Sequence, residues 1–323
     1  MLPTDWRCNV YKRVLVPLDG STIALQVLPY AKMVAKSTGA SIGLVQALNP
    51  YPRQLLAGIT GYTDRQVAPA TAESWEKAAA RARISVQQML EDHAKALRAD
   101  GFKVTTTVVE GDPADEIVGE AEKSAGTVIA ISTHGRSGIG RWVLGSVTDK
   151  VIRQSKRPVL VIRAREGEVT SATPRLKQVI LPLDGSERSA VAMDHAITLA
   201  KALGVGVTLL RSISPMAYGD TFADYVPTMY EDLAGEIEAD VRDYLSHEAQ
   251  QLRKAGITEV VEKAVDGYPA TAILDEVGEA GDSLVVMATH ARGGIGRWVL
   301  GSVTDRVVRH SAGPVLVVRP EDN

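Results

Sequence analysis

The chain contains one long stretch twice, and this duplication constrains its fold more than any other feature. Residues Gly138–Arg163 and Gly294–Arg319 are 26 positions each, align without a gap, and open on the identical run GIGRWVLGSVTD. A second piece, Pro17-Leu18-Asp19-Gly20-Ser21, returns as Pro182-Leu183-Asp184-Gly185-Ser186. The interval between copies is that of a domain, far longer than a solenoid repeat. A chain of 323 residues therefore reads as two domains in tandem, over 1–166 and 174–323, each long enough to bury its own core.

The duplicated stretch begins at the end of an apolar run, Thr127-Val128-Ile129-Ala130-Ile131, that reads as a buried strand. A loop holding Gly135, Gly138, Gly140 and Gly145 follows, and Ser146-Val147-Thr148-Asp149 then has the spacing of a capping box at a helix start. Strand, glycine loop and helix start in this order gather free backbone N–H groups around one point, with the helix dipole behind them. Such a point suits an anion, most often a phosphate. The same residues have a plainer reading, in which the glycines only turn the chain and Ser146 with Asp149 only caps a helix. Recurrence of the whole stretch tips the balance toward the anion.

The remaining pattern is a strand at 13–17, a helix from Ser21 or Thr22 to about Thr38, and a strand at 41–47. A long loop, a long helix over 72–100 and a strand at 103–109 come next. A short helix opening at Pro113, the strand and loop above, a helix, and a last strand at 158–163 complete the half. Residues 164–176 read as a linker, and the second half repeats the programme. The order βαβαβαβαβ calls for an α/β fold of two doubly wound parallel five-stranded sheets, with right-handed crossovers and helices on both faces. Few aromatic residues, only two of them Phe, leave alanine, valine and leucine to fill such an interior.

Composition narrows the function classes. A formal charge of −3 offers no basic stripe and argues against a nucleic-acid partner. The single Cys8 rules out an internal disulfide framework and fits a reducing cytosol. No signal peptide and no apolar run long enough to cross a bilayer is visible, so the expectation is a cytoplasmic protein without a membrane partner.

In a doubly wound sheet, ligands sit beyond the carboxyl ends of the strands. Asp19 follows the first strand and is a candidate acceptor for a ribose hydroxyl or an adenine amino group; it also reads as a turn aspartate bonding its own backbone. At these residues the chain resembles the universal stress protein family, whose members carry a Pro-x-Asp-type turn and, after the fourth strand, G-x2-G-x9-G-(S/T). Gly135, nine residues and Gly145-Ser146 match the later part of that pattern, with Ser132 at its first glycine; the second half has Ala288, Ala291 and Gly301-Ser302.

The resemblance implies a Rossmann-like sheet of order 3-2-1-4-5 and a bound ATP with a divalent cation, Mg or Mn, at the phosphates. It implies that Pro17 and Asp19 meet the ribose and that Ala47 lies against adenine. Ser132, Thr133, His134, Gly135, Arg136, Ser137 and Gly138, with Gly145, Ser146, Val147 and Thr148, would wrap the phosphates. In the second half the same roles fall to Pro182, Asp184 and Ser212, to Ala288, Thr289, His290, Ala291, Arg292, Gly293 and Gly294, and to Gly301, Ser302, Val303 and Thr304. Glycine permits positive φ and close backbone approach, so Ala291 in place of Gly135 makes the first site the expected tighter one.

Arg141 and Arg297, each followed by a tryptophan, stand before the phosphate helices and either pair with phosphate or remain solvated. His134 and His290 read equally as loop-packing residues. No metal-ligand spacing, nucleophile elbow, P-loop lysine or hydride-transfer fingerprint is present. The leading reading is a regulatory, stress-response protein that binds adenine nucleotide; a slow ATPase and a ligand-free interaction scaffold are the alternatives. The two halves are expected to face each other through their last strands, forming an intrachain pseudo-dimer that can associate further into a homodimer. An unpaired apolar edge would otherwise be an aggregation liability.

Overall fold

Strands read as continuous apolar runs when helices cover both faces of a sheet, and Val14-Leu15-Val16 and Val128-Ile129-Ala130 are buried throughout. The computed structural model describes residues 11–48, 69–133, 144–164, 173–213, 227–289 and 300–320. The first half runs β1 (Arg13–Pro17), α1 (Thr22–Leu25), α2 (Leu28–Thr38), β2 (Ser41–Leu48), α3 (Pro69–Ala99) and β3 (Val104–Glu110). It continues with α4 (Pro113–Glu122), β4 (Thr127–Thr133), α5 (Ser146–Gln154) and β5 (Val159–Arg163). The second half runs β6 (Gln178–Pro182), α6 (Glu187–Leu203), β7 (Gly206–Ile213), α7 (Pro227–Lys254) and β8 (Val260–Asp266). Then come α8 (Pro269–Val277), β9 (Ser283–Ala288), α9 (Ser302–His310) and β10 (Val315–Val318).

Each half has the order 3-2-1-4-5 with parallel neighbours, but the two sheets are joined. The described strands form a single ten-stranded sheet, β3-β2-β1-β4-β5-β10-β9-β6-β7-β8. The seam is antiparallel, with Val159, Leu160 and Val161 opposite Val317, Leu316 and Val315, all of them buried. The apolar edges that would be liabilities therefore cover one another. Alternation along the strands divides the core into two layers. Leu160 and Leu316 belong to the layer under α2, α3, α6 and α7, whereas Val159 and Val317 belong to the layer under α4, α5, α8 and α9.

Two local expectations are corrected. The single helix foreseen over about 21–38 is two helices. Pro29 stands at the second position of α2, and inside a continuous helix it would orphan and crowd the Leu25 carbonyl four residues back. Asp194 holds the equivalent place in the second half, and α6 runs unbroken. The capping box foreseen at Ser146–Asp149 is not formed either. Gly145 is the N-cap, Ser146 is the first helical residue, and no side chain caps the helix.

Candidate functional site

Three turns meet at the carboxyl end of each half-sheet and enclose a cleft. The first has a volume of about 410 Å³ and the second about 420 Å³. Pro17, Leu18 and Asp19 form one wall of the first cleft, Val45 and Ala47 of β2 its back, and Ser132 with the start of α5 its far side. Pro182, Leu183, Asp184, Leu210, Ser212, Ala288 and the start of α9 repeat the arrangement in the second.

The aspartate turn is built locally. Asp19 Oδ1 accepts from Ser21 N at 2.9 Å and from Ser21 Oγ at 2.6 Å, while Ser21 Oγ accepts from Ala24 N and so caps α1. Gly20 carries the positive φ of +82° that this reversal needs. Asp184 and Ser186 reproduce both bonds at the same lengths. The turn role is thus real in both halves. It leaves each aspartate exposed on a cleft wall.

The helix starts face the aspartates across the clefts. In α5 the first intrahelical bond is Asp149 N to Gly145 O at 2.9 Å, so the N–H groups of Ser146, Val147 and Thr148 precede the ladder. All three residues line the cleft, as do Ser302, Val303 and Thr304 of α9. Asp149, foreseen as part of a cap, instead makes a two-bond pair with Arg153 at 2.8 and 3.0 Å; Asp305 pairs with Arg309. The helix starts therefore present uncapped N–H groups and partial positive charge to the cleft, with the first-turn Asp149 and Asp305 each paired to an arginine.

Thr148 serves the scaffold. Its buried hydroxyl donates to the Ser132 carbonyl at 3.0 Å and fixes α5 against β4, a bond that Thr304 makes more loosely to Ala288 at 3.4 Å. Ser132, Thr133 and Thr289 are buried at the strand ends, and Oγ1 of Thr289 has no hydrogen-bond partner among the described residues. The Ser212 hydroxyl donates to the Gly267 carbonyl, so it braces the turn after β8.

Among the predicted residues, Pro17, Asp19, Ala47, Ser132 and Gly145–Thr148 come together around one cavity, and their second-half equivalents around the other. His134, Gly135, Arg136, Ser137, Gly138 and Arg141 lie outside the described residues, as do His290, Ala291, Arg292, Gly293, Gly294 and Arg297. Sequence reasoning missed the apolar walls: Ile117 with Pro113 in the first half, and Ile273 with Pro269 in the second. The signal for them is the proline that opens α4 and α8 just past the end of the preceding strand, with an inward apolar residue one turn on.

The electrostatics of the rim differ. Asp112 caps α4 through Ala114 N and Asp115 N and bonds Lys150 of α5 at 2.9 Å, and this lysine holds the Asp112 carboxyl below its usual range. Tyr268 occupies that position in the second half and provides no cap to α8. Among the described residues, no three His, Cys, Asp or Glu side chains converge as a metal site, and no helix is long and apolar enough to cross a membrane.

Comparison with known proteins adds an independent line. The model of the universal stress protein family matches residues 10–163 and again 175–319. A universal stress protein of Mycolicibacterium smegmatis is 29% identical over 320 residues, covering 95% of this chain and 97% of that protein. One from Methanocaldococcus jannaschii is 32% identical over 160 residues, half of this chain and 86% of its own length. A solved universal stress protein from Archaeoglobus fulgidus superposes with a TM-score of 0.60 at 25% identity, covering 95% of this chain and 98% of that one.

Proposed function

The chain belongs to the universal stress protein family, and on that premise we propose that it is a regulatory protein holding an adenine nucleotide, ATP, in one or both clefts. The observation that carries this reading is the start of α5 and of α9. Each opens on a glycine with no side-chain cap and sends its first N–H groups into a cavity bordered by an exposed aspartate. Backbone donors backed by a helix dipole suit phosphate, and a carboxylate acceptor across the cleft suits ribose hydroxyls.

In this reading Pro17 and Asp19 meet the ribose, Ala47 the base, and Gly145 to Thr148 the phosphates. Pro182, Asp184, Ser212 and Gly301 to Thr304 do the same in the second cleft. Phosphate charge would be shared with a divalent cation, Mg or Mn, that arrives with the nucleotide. The glycine-loop residues 132–138 and 288–294, with Arg141 and Arg297, complete the phosphate end. Apolar Val45, Ile117 and Ile131 exclude water from the base end.

Occupancy rather than turnover is the proposed output. The titratable group among the described residues of each cleft wall is the turn aspartate, at the ribose end. Asp149 is held by Arg153, so no positioned base for phosphoryl transfer stands among the described residues of the cleft. We place the protein in the cytoplasm, in keeping with its lone Cys8.

The test is to denature purified protein and resolve the supernatant by ion exchange. Adenine nucleotide should elute, either co-purified or after incubation with ATP, and phosphate release should stay well below about 1 per second. Failure to retain nucleotide after added ATP would favour the interaction scaffold. Hydrolysis at ordinary enzymatic rates would make the protein an ATPase.

A further inference from the structure

A third cavity, of about 420 Å³, lies where the two halves meet, and no residue on its walls belongs to either cleft. Tyr11 and the turn Lys156-Arg157-Pro158 enter it from the first half. His195 of α6 and Val318-Arg319 at the end of β10 enter it from the second.

Its charge is of one sign. Lys156, Arg157 and Arg319 line it, and no acidic side chain does so among the described residues. Arg157 is under-used for a guanidinium. Its Nη2 reaches the Glu122 carbonyl only at 3.5 Å, and its Nε is shielded from solvent with no hydrogen-bond partner among the described residues. The Nη groups, held only by that long bond among the described residues, are the donors left for an anion. The opposite wall is fixed: the Tyr11 hydroxyl and His195 Nδ1 are 2.5 Å apart, with Tyr11 buried and His195 half-buried. Burial also pushes the His195 pKa down to about 4, so the imidazole adds a neutral ring at ordinary pH.

Pairing of the halves does not by itself create this cavity. The register that lays β5 on β10 puts Ala312 and Gly313 where Lys156 and Arg157 stand. There the turn is packed shut, since a Cβ on Gly313 would lie 2.4 Å from the Ser283 carbonyl oxygen. An arginine could not occupy that place. The cationic cavity is therefore particular to one side of the pseudo-dyad.

We propose that this cavity binds a small organic anion, with a single phosphate or carboxylate head and a short aromatic or aliphatic body. The head meets Lys156, Arg157 and Arg319, and the body lies against the Tyr11 and His195 rings and Val318. Guanidinium groups suit both heads because each offers paired acceptor oxygens. The volume equals that of either nucleotide cleft, so a molecule of that order of size is accommodated.

The test titrates the full-length chain by calorimetry with phenyl phosphate, benzoate and inorganic phosphate. Saturable binding is expected for phenyl phosphate or benzoate, and tighter than for inorganic phosphate. Preference between the first two assigns the head group. The double variant Lys156→Ala/Arg157→Gly should weaken the better probe about tenfold or more, while Gly145→Val/Gly301→Val, which targets the clefts, should leave it unchanged. Arg319→Gln serves as a second variant if the double one does not fold. No binding of any probe at millimolar concentration overturns the proposal. So does unchanged affinity in a folded cavity variant, or loss of binding in the cleft variants instead.

Discussion

The two halves carry the same scaffold with differently finished clefts, and the positions that differ are informative. The turn aspartates, the Gly-Ser helix starts and the threonine that ties helix to strand recur in both. Around them Ala24, Val45, Ile131 and Ser132 become Ser189, Leu210, Met287 and Ala288. The backbone-made features are therefore duplicated and the side-chain lining has drifted. A site that grips its ligand through main-chain groups tolerates such drift, because N–H donors persist through substitution as long as the backbone path does.

The largest effect that would sharpen the comparison is at the seam. Leu160 and Leu316 face each other across the pseudo-dyad and are both fully buried, so truncating either to alanine should cost roughly 2–5 kcal/mol. Denaturant unfolding of Leu160→Ala and Leu316→Ala should give similar losses. A large inequality would show that the two sides of the seam are not equivalent.

Next comes a pH effect confined to one side. His195 is half-buried and held neutral, with its pKa lowered from 6.5 to about 4 by desolvation. The unfolded chain takes up a proton below pH 6.5 and the folded one only near 4. The stability tied to this histidine is thus complete above pH 6.5 and is lost as pH falls toward 4, by up to ~3 kcal/mol. Tyr30 holds the equivalent position in the first half. His195→Gln should flatten that part of the stability profile, and a profile left unchanged would assign the loss to other groups.

Affinity differences come third. Gly145→Val should place a side chain at the phosphate end of the first cleft and weaken ATP there by tenfold or more, leaving the second cleft intact; Gly301→Val should do the converse. Calorimetry that finds full affinity at the altered cleft of a folded variant would break the assignment. In the wild-type chain the first cleft should bind more tightly. If the position matching Gly135 needs positive φ, alanine there costs roughly 1 kcal/mol or more, and Ala291→Gly should then strengthen the second cleft by up to about tenfold. Two equal sites in the wild-type titration would count against that reading of the glycine pattern.

The smallest effect concerns the rim. Tyr268 has the same extended backbone as Asp112, with φ of −75° against −65°. Tyr268→Asp should therefore supply the missing cap of α8 and raise the unfolding free energy by up to ~1 kcal/mol. No gain would mean that the tyrosine already contributes as much by packing.

Much of this was legible in the residues because the relevant physics is local. Strand and helix order followed from apolar periodicity, and the position of the clefts followed from turns at Asp19 and Gly145 that repeat at Asp184 and Gly301. What failed was also local, but depended on a single competing interaction. Pro29 breaks a helix that the pattern alone would continue. Gly145 takes the cap position one residue before Ser146, and Asp149 pairs with Arg153. The apolar walls at Ile117 and Ile273 required the tertiary fold, since nothing in a short helix tells which apolar residue faces a cavity. The junction cavity was illegible for the same reason: Tyr11 and His195 are 184 positions apart and meet only across the seam.

The antiparallel seam between β5 and β10 has a consequence for how such a molecule can evolve and be regulated. Two separate copies of one half, meeting edge to edge, would dissociate on dilution and would receive every substitution in both sites at once. Joined in one chain, the same contact is intramolecular, and its effective concentration is set by the connecting segment rather than by expression level. Assembly therefore stays constant while each cleft accumulates its own changes, so one can keep its affinity for a ligand as the other is detuned to respond at a higher concentration. Covalent linkage turns a symmetric contact into a frame in which asymmetry persists.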